Sequence, residues 1–303
     1  MTNPIEIKQV SKSYENVQAV KGVSFYVQPN EVFGLIGPDG AGKTTIIRML
    51  VSLLKADSGE ILFQGKKVEE NVSFVRSSVG YMPQRFSLYQ DLTVEENMRF
   101  FGDLFEIDRK IQQERMKKLY AFSRLEPFKN RRAGNLSGGM KQKLALSCML
   151  MHEPRVVVLD EPTFGVDPVS RTEFWDILKS LAQSGTTILV TTAYMDEADL
   201  CDRVGLIFDG NLLALDTPEK LIEDFDEPLY FIESNQPYKL IEKLNGTILE
   251  ESTNIFGGGI HITDKGIGEL SIRETLSKIG INKEDLQKIK PSLEDLFLKL
   301  MKN

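Results

Sequence analysis

The sequence predicts an α/β fold: a mostly parallel, doubly wound sheet, preceded by an antiparallel β subdomain, interrupted by a helical insert and followed by a small α+β domain. Three observations carry that prediction. An apolar run, Val32-Phe33-Gly34-Leu35-Ile36, ends in a glycine-rich loop over 37–44, and a helical pattern follows over 45–54. A second apolar run, Val156-Val157-Val158-Leu159, reads as a strand buried on both faces and stops at Asp160-Glu161-Pro162. Between residues 156 and 215, strand and helix patterns alternate, as in parallel βαβ units.

At the N-terminus, Ile5, Ile7 and Val10 alternate with polar residues, as do Val23, Phe25 and Val27, so both segments read as half-buried antiparallel strands. Asp57-Ser58-Gly59 marks a turn, and 60–63 and 79–81 read as further strands. The helical insert occupies about 84–150. Within it, Thr93-Val94-Glu95-Glu96 is a capping box, in which hydroxyl and carboxylate satisfy orphan amides at a helix start. A second helix is predicted over 109–122, and a third over 141–151 after Leu136-Ser137-Gly138-Gly139-Met140. Beyond the buried run come helix 170–181, strand 187–191, helix 195–200, strands 204–208 and 212–215, and helix 219–225. The break Asp226-Glu227-Pro228 separates a first domain, 1–225, from a second, 226–303. The second reads as strands 229–232, 247–249 and 260–262, helices 238–244 and 270–279, and a last helix capped by Ser292.

Bulk properties exclude several classes. With 303 residues, the chain is long enough for two domains. A net charge of −7 supplies no basic stripe, which argues against a nucleic-acid partner. Cys148 and Cys201 lack metal-ligand spacing and read as reduced, buried thiols of a cytosolic protein. Residues 1–6 show no signal-peptide pattern, and no apolar run approaches the roughly 18–20 residues of a membrane span. The expected location is therefore cytoplasmic, on a membrane surface at most.

The chemistry starts in the loop. Gly37, Gly42, Lys43 and Thr44 fit G-x-x-x-x-G-K-[ST], the phosphate-binding Walker A motif. Its glycines let the backbone turn N–H groups toward phosphate oxygens, and the helix N-terminus adds a favourable dipole. The stretch Gly37, Pro38, Asp39, Gly40, Ala41, Gly42, Lys43, Thr44, Thr45 is the expected ATP-binding segment, with Lys43 on the β and γ phosphates and Thr44 on Mg²⁺. Asp160, at the end of a buried strand, suits the metal, and Glu161 suits a general base that polarises the attacking water. Pro162 is expected to hold Glu161 extended, prolonging the strand. Ser137 would cap a helix beginning at Gly138, leaving amides free beside Gly138 and Gly139 as a second anion site. One nucleotide needs both sites only if a second subunit supplies one of them, so a head-to-tail dimer clamping ATP is expected.

Together, 37–44, 136–140 and 156–162 resemble the ATP-binding cassette (ABC) family over residues 1 to about 225. The resemblance implies a P-loop NTPase with Mg-ATP as its cofactor. It places Tyr14 where an aromatic stacks on adenine. It places Gln84 where a glutamine touches Mg²⁺ and water, and Gly165-Val166-Asp167 in a loop that crosses the dimer interface. It also exposes a departure. The family's switch histidine, which hydrogen-bonds the γ-phosphate, is replaced by Ala193. Alanine offers no donor or acceptor, and such a loss commonly costs roughly 3–4 kcal/mol, or about 10²–10³ in rate. Either the chain pairs with a second cassette that keeps its histidine, or it homodimerises and hydrolyses slowly with Thr192 or Tyr194 standing in.

Tyr81-Met82-Pro83-Gln84, the Leu-Ser-Gly-Gly-Met form and 291–297 are similar to bacterial drug or multidrug exporters of this family. That resemblance implies an integral membrane permease subunit as partner, docking near Phe86, Leu88 and Tyr89, with this chain peripheral on the cytoplasmic face. The competing readings are a soluble, non-transport ABC ATPase and a regulatory nucleotide sensor.

Overall fold

The computed structural model describes residues 2–85 and 88–302. The chain forms two compact units, Met1–Pro218 and Glu219–Asn303, so the division falls before residue 219 rather than at the break at 226.

In the first unit, Ile5–Tyr14 (β1) and Val17–Val27 (β2) pair antiparallel. Val32–Ile36 (β3) leads into helix Lys43–Leu50 (α1). Ser58–Phe63 (β4) and Lys66–Lys67 (β5) then complete a four-stranded sheet in the order β2-β1-β4-β5. The apolar alternation of β1 and β2 buries Ile5, Ile7, Val10, Val23, Phe25 and Val27, as one-sided strands require. A short helix, Val72–Ser78 (α2), precedes Val79–Met82 (β6). The periodicity of this single partly buried turn pair gave no sequence signal.

The insert holds helices Val94–Leu104 (α3), Arg109–Ser123 (α4) and Gly138–Met149 (α5). Thr93 and Glu96 form the expected capping box, and Asp108 and Ser137 cap the other two. The third helix thus begins three residues before the expected 141. Its run from Lys143 to Met149 is buried throughout, so it is a core helix rather than a one-faced one.

Val156–Asp160 (β7), Pro168–Gln183 (α6), Thr187–Thr192 (β8), Arg203–Phe208 (β9) and Asn211–Asp216 (β10) follow. Residues 195–200, expected as an α-helix, are 3₁₀. The six-stranded sheet runs β10-β9-β3-β8-β7-β6, parallel except for β10. Every residue of β3, β7 and β8 is buried. Register pairs Ile36 with Thr192 and Asp160 with Thr191, so the three strands finish together and present their C-terminal ends as one edge.

The second unit begins in the short helix Pro218–Glu223 (α7). Leu229–Glu233 (β11), Pro237–Leu244 (α8), Thr253–Phe256 (β12), Gly259–Thr263 (β13), Glu269–Lys278 (α9) and Gln287–Ile289 (β14) form a split βαβ arrangement. Its sheet is fully antiparallel, in the order β12-β13-β11-β14. Leu293–Met301 (α10), with a Ser292–Asp295 capping box, ends the described chain. Residues 247–249 are a turn, not the expected strand. The Thr247 hydroxyl donates to Leu244 O at 2.6 Å and accepts from Leu249 N at 3.2 Å, which captures the backbone groups a ladder would use.

Candidate active site

The phosphate loop leaves β3 at Gly37, whose N–H donates to Thr192 O at 3.2 Å. A side chain at Gly37 would place Cβ 2.1 Å from Ile207 O, and Gly42, at φ 105°, would place one 2.4 Å from Ala19 O. The backbone thus passes too close to its neighbours for any residue but glycine. Gly42 is the N-cap of α1, and no side chain caps that end. The first amides of the helix therefore face the loop, as an anion-binding N-terminus requires.

Lys43 is buried, and its Nζ donates to Gly37 O at 2.7 Å and Pro38 O at 2.9 Å. The same ammonium lies 3.1 Å from Glu161 Oε1. The other Glu161 oxygen accepts from Gln84 Nε2 at 2.8 Å. Asp160 Oδ1 accepts from Thr44 Oγ1 at 3.0 Å and from Thr191 Oγ1 at 2.8 Å. Five residues expected from sequence to act together thus fall into two hydrogen-bonded groups, Lys43–Glu161–Gln84 and Thr44–Asp160, which the Thr191 hydroxyl joins by donating to Asp160 and accepting from Glu161 N–H at 3.1 Å. A cavity of about 310 Å³ opens here, lined by Asp39, Gly40, Ala41, Gly42, Lys43, Thr44, Thr45, Gln84 and Glu161 together with Ala19 and Phe164.

Glu161 corrects one expectation. It is not extended: its φ is 48°, in the left-handed region, despite the proline that follows. Its N–H donates to both Thr191 O and Thr191 Oγ1 at 3.1 Å, and its carbonyl accepts from Phe164 N at 3.1 Å. This turn outweighs the local preference, at a cost of order 1–3 kcal/mol. It swings the carboxylate back toward Lys43 and Gln84 instead of along the strand.

Other predicted residues lie apart from the cavity. Tyr14 ends β1 and is 44 % exposed, and neither it nor Ser137, Gly138 or Gly139 lines the cavity. Ser137 accepts from Met140 N at 3.3 Å, as a cap should. The two glycines differ. A Cβ at Gly139 would sit 2.3 Å from Ser170 Cβ, so this glycine lets α5 approach α6. At Gly138 the nearest atom is 3.9 Å away, so that surface is open. Asp167 caps α6 through Ser170 N at 3.0 Å.

Around Ala193, Thr192 is buried and its hydroxyl accepts from Tyr194 N at 3.0 Å, while the Arg171 guanidinium covers the Tyr194 ring at 4.1 Å. The Thr192 hydroxyl thus spends an acceptor lone pair on the backbone, and the Tyr194 ring spends a face on Arg171. Sequence reading missed Thr191, Ala19 and Phe164. Only Thr191 left a trace, as the first hydroxyl after the apolar run Ile188-Leu189-Val190.

The donors fit a magnesium nucleotide. Among the described residues no cluster of three His, Cys, Asp or Glu side chains could hold a metal alone. Asp160 and Thr44, sharing a hydrogen bond beside the helix N-terminus, form the sparse oxygen set that Mg²⁺ uses when phosphates complete its shell.

The ABC transporter family pattern matches residues 20–164. A Nod factor export ATP-binding protein I of Burkholderia pseudomallei is 42% identical over 221 residues, 73% of either chain. The chain belongs to the ABC transporter family. A Rhizobium Nod factor export ATP-binding protein I aligns with the cassette over 98% of this chain and 96% of its own, at 36% identity. The probable multidrug ABC transporter ATP-binding protein YbhF of Escherichia coli is 43% identical over 217 residues, and the alignment spans only 38% of its length. Among solved structures, an ATP-binding subunit of an ABC transporter superposes at TM-score 0.66 with 28% identity, covering 74% of this chain and 93% of that one. A dimeric post-hydrolysis ATP-binding cassette bound to ADP and Pi superposes at 0.64 with 25% identity, covering 70% and 98%. The cassette is an ATP-binding subunit of the ABC ATPase class, and none of its described helices is long and apolar enough to cross a membrane.

Proposed function

We propose that this cassette is the nucleotide-binding subunit of an exporter, hydrolysing Mg-ATP at a head-to-tail dimer interface on the cytoplasmic face of a membrane. The supporting observation is the convergence of Lys43, Thr44, Gln84 and Glu161 on one cavity, with the buried Asp160 hydrogen-bonded to Thr44 beside it. Mg²⁺ held by Thr44, Asp160 and Gln84 would neutralise charge on the phosphates. Lys43 would exchange the loop carbonyls and Glu161 for phosphate oxygens. That exchange frees Glu161 Oε1 to take a proton from the attacking water. Ser137 and the open amides beside Gly138 would serve the γ-phosphate of the partner subunit. The names of the relatives, a probable multidrug transporter protein and a Nod factor export protein, support export and leave the cargo to the membrane subunit.

Leu88 is buried, Tyr89 packs on Phe100 with ring centroids 4.5 Å apart, and Phe86 lies outside the described residues. A better seat for the permease is the groove of about 350 Å³ lined by Leu53, Tyr81, Phe101, Leu104, Phe105 and His152. Ala193, which has no donor or acceptor to offer, favours pairing with a second cassette that carries the histidine. The test is Glu161→Gln with Mg-ATP in size-exclusion chromatography. ATP-dependent dimers, alone or with a histidine-bearing cassette, and loss of turnover are expected. Unaltered turnover removes Glu161 from the base role, and no dimer in either mixture sinks the clamp.

A further inference from the structure

The strand that ends just before Ala193 still sends one side chain into the catalytic group. Thr191 is fully buried, and register sets it opposite Asp160 across the β7–β8 ladder. Its hydroxyl makes two bonds that reach two different functions. It donates to Asp160 Oδ1 at 2.8 Å, the oxygen that also accepts from Thr44. It accepts from Glu161 N–H at 3.1 Å, the amide that begins the left-handed turn. The neighbouring hydroxyls do not share this role. Thr187 accepts from Asn30 N at 3.0 Å and Thr192 from Tyr194 N at 3.0 Å, backbone contacts that reach neither carboxylate-bearing residue.

We infer that Thr191 is a positioning residue that fixes the Asp160 carboxylate for Mg²⁺ and, through the same hydroxyl, sets the turn that aims Glu161. A buried threonine in a strand could simply fill space. A space-filling residue, however, does not need its hydroxyl, whereas this one spends donor and acceptor capacity on the two carboxylate-bearing residues. A carboxylate free to rotate presents its oxygens to a metal less often, so groups that orient a ligand typically contribute about 10–100-fold in metal affinity or activity. The inference rests on the proposed Mg-ATP site, in which Thr191 acts through Asp160 and Glu161.

The experiment uses the full chain, a fluorescent ATP analogue and Mg²⁺ titration, so that binding is read independently of turnover. Thr191→Val keeps the shape and removes the hydroxyl. It leaves Glu161 N–H with its bond to Thr191 O and Asp160 Oδ1 with its bond from Thr44. The expected result is a 10–100-fold rise in the Mg²⁺ concentration for half-saturation, with binding of the analogue in EDTA unchanged and Thr191→Ser close to wild type. Thr191→Ala serves the same test where the valine variant does not fold. Equal half-saturation in wild type and Thr191→Val overturns the inference and leaves the nucleotide site standing. Equal impairment by serine and valine overturns it too, because the role is then packing. Absence of Mg²⁺-dependent binding in wild type defeats the proposed function and this inference together.

Discussion

Lys43–Glu161 in the first unit and His261–Asp295 in the second are both buried pairs, with partner atoms 3.1 and 2.7 Å apart. Their surroundings differ in every other respect. The first pair sits at the ends of parallel strands, facing a cavity, and each member holds alternatives: two loop carbonyls for Lys43, an amide for Glu161. Glu161 is held there by a strained turn. The second pair joins a central strand of an antiparallel sheet to the first turn of α10. The Phe256 ring stacks on His261 at 4.0 Å, Phe231 meets it edge-on at 5.6 Å, and the second Asp295 oxygen is spent on the Ser292 cap. Burying such a pair thus says little about function by itself. Function follows where the partners can be exchanged for a ligand, and stability where rings and a helix cap close around the pair.

The comparison can be pressed in three ways, beginning with the largest effect. Ala193→His would restore a donor at the strand ends, and turnover is expected to rise by about 10²–10³ under matched assembly conditions. A steady-state ATPase assay with no gain would show that the missing imidazole is not what limits this site. Next, Asp295→Asn is expected to lower hydrogen-exchange protection around 259–263 by about 2 kcal/mol at neutral pH while leaving Mg-ATP binding intact. Burial pushes the Asp295 carboxyl up, but hydrogen bonds with His261 and Ser292 outweigh it and hold it below the ordinary carboxylate range. Because its folded value is depressed, this stabilisation is present above about pH 4 and is lost as pH falls through the folded value. Wild type should therefore lose protection in acid at these residues, and the asparagine variant should lack that step. An equal acid step in both would assign it to other groups. Smallest is Tyr14→Ala. Stacking on adenine is worth about 1 kcal/mol at an exposed site, so ATP should bind about fivefold more weakly with the unfolding temperature unchanged. Unchanged affinity would leave Tyr14 as an ordinary strand-end aromatic.

Much of this contrast was legible before the fold was known. The order of elements in the first unit, the glycine loop, the Asp-Glu pair after a buried run and the capping residues Thr93, Ser137 and Ser292 all follow from short-range rules. Their physics acts within one turn of chain: a left-handed glycine, a hydroxyl meeting an amide three residues on, an apolar run with no polar face. The second unit was less legible. The strands at 253–256 and 287–289 and the turn at 247–249 depend on which neighbours complete a ladder, and short edge strands carry little pattern of their own.

The residues alone therefore determined that a phosphate-binding loop and an Asp-Glu pair after a buried run lie in this chain, because the motifs encode backbone shapes that few other residues can adopt. Only the tertiary structure decided how Glu161 is aimed, which signature glycine packs and which stays open, and that Thr191 reaches both carboxylate-bearing residues. Those outcomes depend on contacts between strands about thirty residues apart in sequence, where parallel register, not local preference, fixes what each side chain meets.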